Sequence, residues 1–255
     1  MHLATIAMLV SSGLLAGAVA AMVGGAAVIT YPALIAAGVS PQIAAVGNLV
    51  AIMPASMLAA LSDRSQLPPL NRAFATLVLV SVTGAALGAA CLLLTPERVF
   101  IGVVPVLLAL ATVLFAYSER IIKWARARAA ERGREITFNI GSLQILLPVS
   151  FYGGYFGAGF GILVLGVFSL ATDGDYRAAN VAKNFVSSLN AMVAAVVFVS
   201  QGAVPWPQTL ALMAGTIGGG LIGGRLARVV PRPLLRVLVV LVGLSLSVWL
   251  AWRYW

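Results

Sequence analysis

From Phe151 to Asn190 the sequence reads FYGGYFGAGFGILVLGVFSLATDGDYRAANVAKNFVSSLN, a hydrophobic stretch broken by glycines and followed by a helix that carries polar groups. Gly153, Gly154, Gly157, Gly159 and Gly161 fall within nine positions, too dense for one uninterrupted helical span, because each adds backbone freedom that a helix must remove. Downstream, Asn180, Lys183, Asn184, Ser187 and Asn190 recur at three- and four-residue spacing and share one helical face. Val181, Phe185, Val186 and Val193 cover the other. A polar stripe on an apolar helix requires a polar cavity.

The same plan occurs once before. Asn48 precedes Asn184 by 136 positions, and that offset also sets Gly17 on Gly153, Gly25 on Gly161, Gly38 on Gly174, Gly84 on Gly220 and Gly88 on Gly224. This reads as an internal duplication. Duplicated halves interrupted at matching places mark a secondary transporter whose site lies where the breaks meet.

A chain that is 61% hydrophobic and 9% charged cannot solvate a globular surface, so a multi-pass membrane protein is expected. The net charge of +9 is gathered into connections, at Arg120, Lys123, Arg126, Arg128, Arg132 and Arg134 and again at Arg225, Arg228, Arg232 and Arg236. That is the pattern of cytoplasmic loops on a membrane protein and not of a nucleic-acid surface. Cys91 is the only cysteine and His2 the only histidine, so zinc, disulfide and Ser/His or Cys/His chemistry find no residues; no metal and no cofactor are expected. Residues 1 to 22 have the hydrophobicity of a signal peptide but no positive n-region, and a cleaved signal is not expected.

The expected fold is all-α and multi-pass, with two homologous halves arranged as inverted repeats. Each half carries a glycine-broken segment, re-entrant or kinked, followed by three transmembrane helices. The first repeat covers 1–118, a basic linker 119–139, and the second repeat 140–255. In the first half, Leu3 to Ala37 is interrupted at Gly24-Gly25 and again at Pro32, Gln42 to Leu61 forms a helix with a kink at Pro54, and Thr95-Pro96-Glu97 reads as the cap of the last span. In the second, Asp173-Gly174-Asp175 reads as a cap for Tyr176 to Ser200, and Trp249, Trp252, Tyr254 and Trp255 as an interfacial anchor. If each broken segment returns to its starting side, both basic loops face the cytoplasm and the halves are inverted. Four full spans per half would put those loops on opposite sides.

A re-entrant tip places a helix N-terminus inside the membrane, where unpaired N–H groups and the positive dipole end form an anion site from backbone. Gly24, Gly25, Gly159 and Gly161 let a ligand approach that backbone, while Asn48 and Asn184 donate from side-chain amides. Lys183 brings the formal positive charge on the polar face, unless it snorkels to the interface. Tyr152 and Tyr155, like Tyr31, either line the path or pack against lipid. Asn190, next along the stripe, and Pro32 are further candidates for lining.

The segments GLLAGAVAAMVGGAAVITYPALIAAGVSPQIAAVGNL and FYGGYFGAGFGILVLGVFSLATDGDYRAANVAKN resemble the duplicated core of the sulfite exporter TauE/SafE family, also called TSUP or DUF81. The likeness spans nearly the whole chain. Carried over, the family's first motif falls on Gly24, Gly25, Pro32, Gly38 and Asn48, and its second on Gly157, Gly159, Gly161, Asn180, Lys183 and Asn184. The resemblance implies export of a small sulfur-containing anion, such as sulfite or a sulfonate, across the bacterial cytoplasmic membrane. The expected partners are therefore a small anion and the lipid bilayer, and the chain is not expected to be an enzyme. The rival reading is a non-transporting membrane scaffold or assembly partner, which accounts for the hydrophobicity but not for the polar stripe or the matched breaks.

Overall fold

The computed structural model describes residues 2–22, 25–62, 64–67, 72–121, 123–124, 127, 140–171, 176–226 and 232–254. Among the described residues the chain forms ten delimited α-helices, further helical residues at 118–121, 123–124 and 127, one short 3-10 turn at Arg64–Gln66 and no strand. The helices of the first half are α1 (Leu3–Met22), α2 (Ala27–Ala36), α3 (Pro41–Leu61), α4 (Arg72–Leu94) and α5 (Glu97–Ala116). Those of the second are α6 (Ile140–Tyr155), α7 (Phe160–Ala171), α8 (Tyr176–Ser200), α9 (Trp206–Leu226) and α10 (Arg232–Tyr254).

Five of them, α1, α3, α4, α5 and α8, are long and apolar enough to cross a membrane, and the chain is an all-α multi-pass membrane protein. Its outer face carries exposed Leu79, Leu87, Val106, Leu110, Val196, Leu241 and Val248, where lipid replaces water as solvent. Exposed hydroxyls on that face bond back to their own helix, Thr83 to the Leu79 carbonyl and Ser245 to the Leu241 carbonyl. Such back-bonding shields these two hydroxyls from hydrocarbon.

Packing couples the halves. Helix α1 lies along α9 and α4 lies along α6, while α3 packs on α8 and α5 on α10. Small residues permit the first two crossings: a Cβ on Gly88 would fall 2.0 Å from the Phe151 carbonyl oxygen, and one on Gly219 would fall 2.0 Å from that of Leu14. Shifting residue numbers by 136 carries α1–α9 onto α6–α4, and carries α3–α8 and α5–α10 onto themselves. Helices α3 and α8 are the most enclosed spans and occupy the middle of the molecule.

Two sequence expectations are corrected. Pro32 does not interrupt the first segment; α2 runs through it from Ala27 to Ala36, and the helix carries the proline in its interior, where one backbone bond to the Val28 carbonyl is forgone. Thr95 does not cap α5: Pro96 holds the N-cap position without a side-chain bond, and the Thr95 hydroxyl donates 2.6 Å to the Cys91 carbonyl at the end of α4. Asp173, Gly174, Asp175, most of the basic linker and Trp255 lie outside the described residues. In the anchor, the Arg253 guanidinium sits 5.0 Å from the Trp249 ring centre and 5.7 Å from that of Tyr254.

Candidate functional site

Each half contains one helix break, and the two breaks open on the same cavity. The first separates α1 from α2, the second separates α6 from α7. Gly25 (φ +87°), Gly157 (φ +74°) and Gly159 (φ +79°) adopt the left-handed backbone that a side chain resists. At Gly25 a Cβ would also lie 2.6 Å from the Phe115 ring, so the tip of one break is pressed against α5.

The cavity has a volume of about 60 Å³ and is lined at its tips by Gly25, Ala26 and Ala27 and by Gly157, Phe160 and Gly161. Its walls are Ala20 of α1, the Asn48, Leu49, Ile52 and Ser56 face of α3, and the Lys183, Asn184, Ser187 and Ala191 face of α8. Helices α2 and α7 both begin at this lining, so two positive dipole ends converge on it.

Lys183 is 1% exposed, and its ammonium donates 3.1 Å to the Ala20 carbonyl in the last turn of α1, the negative end of that helix. The acidic residues among those described, Glu97 and Glu119, are both exposed, so no carboxylate accompanies the buried ammonium there. The Ser187 hydroxyl is buried and has no hydrogen-bond partner among the described residues. Asn48 is buried, and its carbonyl oxygen accepts from the Thr30 hydroxyl of α2. The arrangement is a small enclosure of hydrogen-bond donors around one cation.

Of the residues singled out by sequence, the structure brings Gly25, Asn48, Gly157, Gly161, Lys183, Asn184 and Ser187 to this lining. Gly24 lies outside the described residues. Gly159 and Pro32 lie near the breaks but off the lining, and Asn180 lies one turn before Lys183, also off it. Asn190 turns to another cluster, accepting 2.9 Å from Ser81, whose hydroxyl meets that of Ser150 at 3.0 Å.

The tyrosines pack behind the tips. Tyr31 is fully buried, donates to the Pro41 carbonyl and sits edge-on to Phe156, with ring centres 5.2 Å apart. Tyr152 donates to the Ala158 carbonyl at 2.5 Å, bracing the second break, and Tyr155 lies 5.9 Å from the Phe100 ring centre.

Sequence reasoning passed over Ser56 and Thr30. Ser56 stands eight residues after Asn48, on the same helical face, and that spacing was its signal. Thr30 gave none, because a lone threonine in an apolar helix satisfies itself on the carbonyl four residues back.

A sequence model of the family described as sulfite exporter TauE/SafE matches residues 9–250. The chain is 28% identical over 254 residues to a probable membrane transporter protein ORF9 of Sinorhizobium sp, covering 95% of this chain and 91% of that protein. It is 26% identical over 246 residues to a probable membrane transporter protein of Haemophilus influenzae, covering 95% of this chain and 92% of that one. No solved structure matches it at a significant level. With a match over nearly its whole length and a helical membrane architecture to carry it, the chain belongs to the sulfite exporter TauE/SafE family of membrane transporters.

Proposed function

We propose that the protein is a secondary transporter that moves a small sulfur-containing anion, such as sulfite or a sulfonate, outward across the bacterial cytoplasmic membrane. The observation that carries this reading is Lys183, an ammonium 1% exposed, set in a donor-lined cavity where both helix breaks open. An ion buried at membrane depth is costly without a partner, and a bound anion is the partner this cavity accommodates. Asn48, Asn184 and Ser187 add side-chain donors, and the starts of α2 and α7 add backbone dipoles.

Size supports the same class. At roughly 10 to 15 Å³ per water-sized group, the cavity of about 60 Å³ has room for an anion of about four to six non-hydrogen atoms. The name of the family, sulfite exporter, points to sulfur as the central atom. A monovalent anion leaving an inside-negative cell gains roughly 2.3 kcal/mol per 100 mV, so outward uniport needs no coupling ion.

The transport cycle rests on two inverted repeats, 1–118 and 140–255, joined by the cytoplasmic basic linker 119–139. Exchange of helix pairs under the 136-residue offset is what a two-fold relation between halves produces, and it supports this organisation. Rocking of one half against the other about the shared cavity then exposes Lys183 to each side in turn. The test is sulfite flux into proteoliposomes containing the purified protein under an imposed potential. Flux above that of protein-free vesicles, lost in Lys183→Gln, is the expected outcome; no flux of sulfite, methanesulfonate or sulfate at any potential defeats the proposal.

A further inference from the structure

We infer that Thr30 sets the polarity of the site, holding Asn48 so that its amide hydrogens and not its carbonyl oxygen meet the cavity. This rests on the anion site proposed above and names the residue that makes it select anions. A carboxamide offers donors at one end and an acceptor at the other, so an asparagine on a cavity wall serves either sign of ligand until something fixes its orientation. Thr30 is fully buried in α2, four residues past Ala26, and its hydroxyl lies within bonding reach of two acceptors, the Ala26 carbonyl at 3.1 Å and the Asn48 side-chain oxygen.

A hydroxyl has one proton to give. Given to Asn48 Oδ1, it engages the acceptor end of the amide and leaves Nδ2–H groups for the cavity. Given to Ala26, it would leave Thr30 Oγ1 to accept from Asn48 Nδ2, and Oδ1 would then face the cavity. A carbonyl oxygen there would accept from the Lys183 ammonium and satisfy from within the charge that a ligand is needed to satisfy. The structure holds the first arrangement, with Asn48 Oδ1 bonded to Thr30. The second half has no counterpart: the 136-residue offset places Gly166 at the position of Thr30, with no hydroxyl to orient Asn184. Thr30 thus gives one wall a fixed donor, while the opposite wall supplies the charge.

The test is calorimetric titration of the purified full-length protein in detergent with sulfite, comparing wild type, Thr30→Val, Thr30→Ser, Asn48→Asp and the double variant Thr30→Val/Asn48→Leu. Thr30→Val keeps the shape but removes the proton and should weaken sulfite binding roughly five- to 150-fold, whereas Thr30→Ser should stay within about twofold of wild type. Adding Asn48→Leu to Thr30→Val should cost no more than about another twofold, because the donor is already misdirected. Asn48→Asp preserves size but presents only acceptors, pairs with Lys183 and should bring sulfite binding below detection.

Wild-type affinity in Thr30→Val, or sulfite binding retained by Asn48→Asp, overturns the assignment. If Thr30→Val does not fold, Thr30→Ala takes its place, and wild-type sulfite affinity in that variant overturns the assignment. A wild type that binds neither sulfite, methanesulfonate nor sulfate removes the anion site and this assignment together, whereas a wild type that binds while Thr30→Val matches it removes only the role of Thr30.

Discussion

Lys183 has three N–H donors, and among the described residues one hydrogen bond of its ammonium is placed, to the Ala20 carbonyl. Lys183 also lines the cavity, and that position defines what the side chain does. If the ammonium compensates the ligand's charge, Lys183→Gln should lower affinity for a divalent anion such as sulfate more than for monovalent methanesulfonate, because the Coulomb attraction doubles with ligand charge. Competition binding in proteoliposomes measures this ratio, and a ratio equal to wild type would take Lys183 off the path. Asn184→Leu should cost roughly 1 to 3 kcal/mol, about five- to 150-fold in affinity, with expression preserved. Unaltered binding would leave Asn184 as a packing contact. The polar stripe on the cavity wall was legible in sequence for one reason: Lys183, Asn184 and Ser187 are polar groups at helical spacing in an apolar span, and they need a polar place to go. The tyrosines carried no such constraint, since an aromatic ring with one hydroxyl packs as readily behind a cavity as along it. The structure packs a buried Tyr31 and a half-buried Tyr152 behind the breaks, each with a backbone carbonyl as partner.

At the scale of helices, the glycines divide by what surrounds them. Gly88 of α4 is a contact glycine, with the Phe151 carbonyl where its Cβ would be, so Gly88→Leu must push α4 and α6 apart and should destabilise the protein by about 1 to 3 kcal/mol. Gly166 of α7 is the control, for its nearest neighbour to an added Cβ is Ile121 at 3.8 Å. Gly166→Ala should be neutral or stabilise by up to about 1 kcal/mol, through helix propensity. Thermal unfolding in detergent compares the two, and equal melting temperatures would remove the close crossing as a source of stability. Sequence marked the second break closely, because five glycines in nine positions leave few other ways to fold. It misplaced the role of Pro32, which sits inside α2, where its missing N–H deprives the Val28 carbonyl of its usual helical donor and the helix continues regardless.

At the scale of the molecule, inverted halves predict that both basic loops share one side. Cysteines placed at Arg126 and at Arg232 in a Cys91→Ala background should both be shielded from an impermeant thiol reagent applied to intact cells. Labelling of one alone would restore four full spans per half. The interlocked packing has a further bearing, on the order in which the chain is made. Helix α1 rests on α9, yet by residue number 183 residues lie between Met22 and Trp206. At about 5 to 20 residues per second, the ribosome leaves α1 without its partner for roughly 10 to 40 seconds, with the small-residue face of Gly13 and Gly17 open to lipid or to insertion factors. Helix α1 thus waits, its close-packing face unmatched, until the second half has been made. Produced alone, residues 1–118 should be cleared by membrane proteases, and supplying 119–255 from a second message should rescue them.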